Sequence, residues 1–278
     1  MHNKNLKKGK LYLVATPIGN LADITYRAIS ILSMVDLIAT EDTRQSAKLL
    51  NYYSIKTPTF SYHKFNEKEK LDFIYNKILK GKNIALVSDA GTPSISDPGD
   101  ILVNFLRDKS VDIEPIPGPS SITASLSVSG FGSKEFSFIS FFPKKIGNRK
   151  DILDQFLESE KTLIFFESPK RIKKTLIFIK NYFGKNIKIL ICKEITKKNE
   201  LISFDTIEKH VKNIEDNNLD KGEFVILLPP YKLESNNYLE IEKLMQILNK
   251  NKIPKSAVVK ILSEYFDIRR NSIYNKII

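Results

Sequence analysis

Residues 88–99, Ser-Asp-Ala-Gly-Thr-Pro-Ser-Ile-Ser-Asp-Pro-Gly, follow the apolar run Ile84–Val87 and hold two Gly/Pro pairs, each beside a carboxylate and small hydroxyl side chains. Gly91 and Gly99 permit positive φ and close approach, while Pro93 and Pro98 fix φ and remove donors. Such a run is a stiff backbone cradle. In open α/β sheets, ligands bind at the carboxyl ends of strands. Further segments share the design: Ala15-Thr16-Pro17-Ile18-Gly19-Asn20 running on to Thr25, Ala39-Thr40-Glu41-Asp42-Thr43-Arg44, Pro115–Ser121 and Phe165–Arg171. Pro115–Ser121 enters a helix whose first-turn N–H groups can meet a ligand. All of these lie at predicted strand ends, so a parallel sheet would gather them on one rim.

The chain carries no G-x-x-x-x-G-K-[ST], no G-x-G-x-x-G and no G-x-S-x-G. His2, His63 and His210 are far apart, and Cys192 sits in a strand-like run, which argues against a metal site and makes Cys192 a small core residue. What remains is a fold with ligand loops but no ordinary phosphate cradle.

Hydrophobic periodicity supplies the scaffold. Strands are predicted at Leu11–Ala15, Asp36–Thr40, Ile84–Val87 and Val111–Ile116. Helices are predicted at Thr25–Met34, at Thr43–Tyr52 with a Thr cap, at Glu67–Lys80, at Asp100–Lys109 and after Pro119. The alternation argues for a parallel sheet covered on both faces. Near Gly130-Phe131-Gly132 the pattern restarts. Strands are expected at Phe136–Phe142, Lys161–Phe166, Lys188–Lys193 and Glu223–Leu228, and helices at Lys150–Ser159 and Arg171–Tyr182. Thr196–Lys221 reads as a strand plus a helix. After Pro229-Pro230 come helical patterns at Tyr238–Asn249, Lys255–Phe266 and Arg270–Ile277, the last pair spaced like a helix-turn-helix. The expected organisation is a basic arm at 1–10, α/β domains at 11–132 and 133–230, and a helical tail at 231–278.

The formal net charge of +12 is concentrated in two basic ends, Lys4–Lys10 and Lys250–Lys276. Charge of this sign suits a nucleic-acid partner and equally suits solvated lysines. The basic start has no apolar h-region and no run is long enough to span a bilayer, so a cytoplasmic protein without membrane partners is expected.

The motifs L-Y-L-V-A-T-P-I-G-N-L-A-D-I-T, A-T-E-D-T-R, A-L-V-S-D-A-G-T-P-S-I-S-D-P-G, P-I-P-G-P-S-S and F-F-E-S-P-K-R occur in order from Leu11. Together they closely resemble the tetrapyrrole-methylase-like (class III) S-adenosylmethionine methyltransferases. The T-P-I-G-N and E-D-T-R pair is similar to the branch that modifies small-subunit ribosomal RNA. The resemblance runs to about Lys198 and continues more weakly over Pro254–Lys276. It implies an α/β fold of two domains holding S-adenosylmethionine (SAM) in the cleft between them, with a small C-terminal helical tail. It also implies a homodimer without a metal, acting on the ribose 2′-hydroxyl of a cytidine in the decoding region of small-subunit rRNA or its 30S particle.

Carried over by position, Pro17, Ile18, Asp89, Gly91, Thr92, Pro93, Ile95, Ser121, Ile122 and Phe166 are the implied SAM residues, with Gly222 and Glu223 a weaker adenosine-side pair. Glu41, Asp42 and Arg44 are candidates for acceptor-side catalysis, with Asp23, Glu167 and Glu194 in reserve. The bland alternative for Glu41–Arg44 is a helix cap with first-turn charges. Arg44, Arg171 and Lys193 are candidates for gripping RNA, and Lys193 could instead pair with Glu194. Three departures stand out: Phe65 where relatives often carry the second His of H-x-H-N-E, Lys193 where they carry the Arg of R-E-L-T-K, and Lys170 in place of a frequent His. A SAM- or RNA-binding assembly factor without turnover, and a tetrapyrrole small-molecule methylase, are the alternative readings.

Overall fold

The computed structural model describes residues 8–131, 134–216, 221–230 and 235–266. The chain divides into two compact units, Met1–Ala124 with Glu194–Glu200, and Ser125–Lys193 with Leu201–Ile278. The sequence places the divide at Gly132, a residue outside the described ones.

The first unit is built on strands β1 (Leu11–Val14), β2 (Leu37–Thr40), β3 (Thr59–Ser61), β4 (Ile84–Val87) and β5 (Ile113–Ile116), in the order β3-β2-β4-β1-β5. Every pairing is parallel. Side chains alternate across the strands, so each face needs its own cover. On one face, Tyr12, Val14, Ile38, Ala85 and Val87 pack with Ala28 and Leu32 of helix α1 (Tyr26–Met34) and with Leu49 and Leu50 of α2 (Thr43–Tyr52). On the other, Leu11, Ala39, Ile84 and Leu86 meet Ile74 and Ile78 of α3 (Glu67–Leu79) and Leu102 and Leu106 of α4 (Asp100–Asp108). Thr25 caps α1, its Oγ1 accepting the Ala28 N–H at 3.1 Å. The cap of α2 is Asp42 and not the expected Thr43; the carboxylate accepts the Arg44 N–H at 2.8 Å, and Thr43 is already helical. β3 has no counterpart in the prediction, being a three-residue edge strand too short to show alternation.

In the second unit, β6 (Phe136–Phe141), β7 (Thr162–Glu167), β8 (Lys188–Lys193), β9 (Leu201–Thr206) and β10 (Phe224–Leu228) form a sheet in the order β6-β7-β10-β8-β9. Only β6 and β7 are parallel; the other pairings run antiparallel. The expectation of a single rim therefore fails for Phe165–Arg171, which belongs to this second, mixed sheet. A fully apolar strand such as β10 looks the same in either direction, so its sequence cannot report its sense.

Helix α6 (Ile146–Ser159), α7 (Pro169–Phe183) and α8 (Ile207–Asp216) close a core around Phe142, Leu163, Phe165, Ile172, Leu176 and Ile226. α6 starts four residues before its predicted Lys150. Cys192 is buried in β8, as expected, and His210 is buried with Nε2 3.2 Å from the Ile189 carbonyl.

α9 (Ser235–Lys250) and α10 (Lys255–Tyr265) pack through Ile241, Val258, Val259 and Leu262. The predicted helix at 270–277, and with it the helix-turn-helix spacing, lies outside the described residues, as do residues 1–7 of the basic arm. Among the described residues no helix is long and apolar enough to cross a membrane.

Phe165 is wholly buried and its ring lies 4.8 Å from that of Phe142. Phe165→Ala is expected to cost about 3–5 kcal/mol by the usual penalty for truncating a core aromatic, read as a shifted urea midpoint at unchanged slope.

Candidate active site

In the first unit the loops after β1, β2, β4 and β5 leave the same end of one parallel sheet, so four of the predicted segments do share a rim. The β1 and β4 loops are tied by backbone. Thr16 N–H donates to the Gly91 carbonyl at 2.9 Å and Gly91 N–H returns the bond at 3.0 Å. Thr16 Oγ1 also donates to the Ser88 carbonyl at 3.2 Å. Gly91 has φ +84°, and a Cβ there would lie 3.5 Å from Ile18 Cγ2 and 3.9 Å from the Pro119 carbonyl oxygen. Thr92 Oγ1 donates to that same carbonyl at 3.5 Å, which draws the Pro115–Ser121 loop to the cradle. Ser121 and Ile122 open α5 (Ser121–Ser127) directly beyond it, with Ile122 buried.

The 88–99 loop holds an unusual backbone. Ser94 and Ser96 both sit at φ 69°, alongside Gly91 and Gly99. Non-glycine residues in that region are costly and persist where the surroundings over-determine them. Ser94 Oγ is buried with no hydrogen-bond partner. Ile95, by contrast, is 46% exposed, an apolar side chain standing out of a polar loop.

Carboxylates ring the same edge. Asp89 Oδ1 accepts the Asp42 N–H at 3.1 Å, joining the β4 and β2 loops. Burial and the charges of Asp97 and Asp89 push the Glu41 carboxyl up from its usual range. Asp89 is raised by burial and by Asp42. Asp97 is pushed up to about 6, mainly by burial, with a Ser88 hydrogen bond opposing and Asp89 adding to it. Asp42 goes the other way, to about 2, because Arg44 holds it. Arg44 Nε and Nη2 donate to its two oxygens at 3.1 and 2.8 Å, although Arg44 itself is 88% exposed. The cap reading and the charged reading of Glu41–Arg44 are thus both present in one place.

Asp97 was not among the predicted site residues. Its signal is the second carboxylate of the Gly/Pro loop, which sequence alone does not distinguish from a turn-forming Asp. Glu194 was held in reserve, but the placement of its segment was not foreseen: Glu194–Glu200 packs within the first unit although it links β8 to β9. A Cβ on Gly19 would fall 2.4 Å from Lys197 Cγ and 2.9 Å from the Ile195 carbonyl oxygen, so glycine is what lets this segment lie on the T-P-I-G-N loop. Glu194 pairs with Lys197 at 2.9 Å. Asp23 ends a short 3-10 turn, Leu21–Asp23, whose cap is Asn20.

The remaining candidates belong to the second unit. Phe166 stacks edge-on with Phe138 and Phe141 at 5.0 and 5.7 Å. Glu167 is buried, accepting from Thr175 Oγ1 at 2.6 Å and the Ser168 N–H at 2.7 Å. Arg171 Nη2 reaches Glu167 at 3.2 Å, the Pro143 carbonyl at 3.2 Å and the Phe142 carbonyl. Lys193 Nζ lies 5.8 Å from the Phe224 ring centroid. Phe224 is paired with both Glu167 and Lys193, so Phe166, Lys193, Gly222 and Glu223 gather at one end of this sheet. His63 organises a turn, with Nδ1 accepting the Phe65 N–H at 3.3 Å while Phe65 is 90% exposed.

The first-unit rim suits SAM on its chemistry. A glycine-bounded cradle with Ile18, Pro93 and Ile95 offers apolar walls. Its surplus carboxylates suit a ligand carrying a sulfonium and an ammonium rather than phosphates.

The family model for Tetrapyrrole (Corrin/Porphyrin) Methylases matches residues 10–210. The chain is 41% identical over 277 residues to the ribosomal RNA small subunit methyltransferase I of Vibrio cholerae, covering 98% of this chain and 96% of that protein. It is 42% identical over 272 residues to the protein of the same name from Haemophilus influenzae, covering 96% and 95%. Among solved structures, a cobalt precorrin-4 methyltransferase superposes with a TM-score of 0.59 at 19% identity, covering 78% of this chain and 94% of that one. A diphthine synthase does so at 0.63 and 12%, covering 81% and 92%. These last two share the fold. The fold is that of a tetrapyrrole-methylase-type, SAM-dependent methyltransferase. Within that class, the chain belongs to the ribosomal RNA small subunit methyltransferase I family.

A carboxyl raised in the folded state binds its proton more tightly there than in the unfolded chain. Asp97 therefore adds stability at low pH that is lost as pH rises from about 4 through about 6. In thermal unfolding from pH 4 to 7.5, Asp97→Asn should gain on the wild type as pH rises. A Tm difference independent of pH would refute the assignment.

Proposed function

We propose that this chain transfers a methyl group from SAM to the ribose 2′-hydroxyl of a cytidine in the decoding region of small-subunit rRNA, acting as a cytoplasmic homodimer. The carrying observation is the tied, carboxylate-rimmed cradle of the first unit, in a chain whose relatives are named for methylating this RNA. When bound, SAM supplies an electrophilic methyl on a sulfonium.

The chain's own residues do the rest. Pro17, Ile18, Gly91, Thr92, Pro93, Ile95, Ser121 and Ile122 hold the donor and exclude water, and Asp89 offers a carboxylate to its polar groups. Positioning accounts for much of the acceleration in a transfer of this kind.

A ribose hydroxyl is a weak acid and gains from a base. Glu41 fits that role better than Asp42. Its carboxyl is raised by burial and neighbouring charge, whereas Asp42 is locked and kept ionised by Arg44. Glu41 would take the hydroxyl proton as the ribose oxygen accepts the methyl group that bound SAM would supply. The Asp89 backbone bonds to Glu41 and positions it, Arg44 presents its exposed guanidinium to RNA, and Lys193 is a second phosphate candidate. Arg171 is engaged in internal bonds, which favours a supporting role for it.

Transfer of labelled methyl to small-subunit RNA, followed by alkaline hydrolysis, tests the reading, since a 2′-O-methyl ribose leaves an uncleaved dinucleotide. Glu41→Gln is expected to lower kcat about a hundredfold or more with the Kd for SAM unchanged, and to abolish the rise of kcat with pH. Wild-type kcat in that variant would remove Glu41 from the chemistry.

A further inference from the structure

The loops after β6 and β7 are adjacent because those strands pair in parallel, and their composition is unlike the rest of the chain. Segments 143–151 and 167–174 hold eight basic residues (Lys144, Lys145, Arg149, Lys150, Lys170, Arg171, Lys173 and Lys174) against two acidic ones, Asp151 and Glu167, where the whole chain has 44 against 32. Lys144, Lys145, Lys150, Lys170, Lys173 and Lys174 are exposed.

Two arginines anchor the patch. Arg149 Nε donates to the Pro143 carbonyl at 2.7 Å, and its guanidinium lies 5.7 and 5.4 Å from the ring centroids of Phe142 and Phe178. Arg171 bonds to the same Pro143 carbonyl at 3.2 Å. Partial burial and then the charge of Arg171 disfavour the charge on Arg149, with Glu167 opposing them. Glu167 is buried and already accepts from Thr175, Ser168 and Arg171. Like charges held together on a rigid support are unfavourable alone and are relieved by a polyanion.

From this juxtaposition we infer that the β6–α6 and β7–α7 loops form a docking surface for the RNA phosphate backbone, with Lys144, Lys145 and Lys170 making the contacts and Arg149 and Arg171 setting the loops. The inference rests on the reading of the substrate as RNA. It adds a surface carried by the second unit. The lysines contribute affinity and no sequence choice, as phosphate contacts do.

The test is a salt titration of binding between the full-length protein and a small-subunit rRNA transcript, using K144E/K145E/K170E. These side chains are exposed, so the fold is expected to survive, with the Tm and the Kd for SAM as checks. Each lost phosphate contact lowers the slope of log K against log salt by about 0.7–0.9, so the triple variant should lose about 2–3 from the slope and bind at least about tenfold more weakly at 0.15 M salt. An equal reversal on α3, K68E/K70E/K77E, should bind as the wild type does. An unchanged slope in the first variant, or an equal loss in the second, overturns the surface. Methyl transfer by the wild type to the same transcript is scored separately. Its absence would count against the RNA reading, while the slopes would still decide the surface.

Discussion

The reciprocal backbone bonds between Thr16 and Gly91 are the constraint on which the rim depends. β1 and β4 are neighbours in the sheet, and beyond their ends each chain must satisfy its polar groups without a strand partner. The pair resolves this by turning the two loops toward each other, with Thr16 Oγ1 on the Ser88 carbonyl as a third tie. Ile18, Thr92 and Pro119 then have fixed places, and the left-handed Ser94 and Ser96 are carried by the loop that the ties hold. A side chain at position 91 would have to adopt φ +84° inside this arrangement.

Charge is distributed in two senses. The first unit's rim collects Glu41, Asp89 and Asp97, each raised by burial first and by neighbouring carboxylates second. Such a group is uncomfortable on its own, and a sulfonium or ammonium relieves it. The second unit's α6 and α7 loops collect eight lysines and arginines against two carboxylates, of which Glu167 is buried and already bonded. One unit is electrostatically prepared for a small cation and the other for a polyanion, which is the division of labour expected of a methyl transferase acting on nucleic acid.

Much of this was legible in the sequence. Ile84–Val87 and Lys188–Lys193 lie where apolar periodicity puts them, and the Gly/Pro spacing of 88–99 announces a stiff loop. Asp42 was named as a candidate, but its cap was assigned to Thr43 because both residues are good caps and only backbone geometry separates them. Strand sense in the second sheet was not legible, since a buried antiparallel strand and a buried parallel one carry the same residues. Nor was the packing of Lys197 on Gly19, a contact between residues far apart in the chain that no local pattern encodes. Arg171 read as an exposed phosphate ligand because its partners, the carbonyls of Phe142 and Pro143, are backbone atoms without a sequence signature.

Calorimetric titration of SAM into the full-length protein and into Gly91→Ala tests the central claim most directly. Forcing a Cβ into the left-handed region costs about 1–2 kcal/mol, so the tie should loosen and the Kd should rise roughly tenfold while the protein stays folded. Equal Kd values for the two proteins would show that the donor is held somewhere other than this cradle.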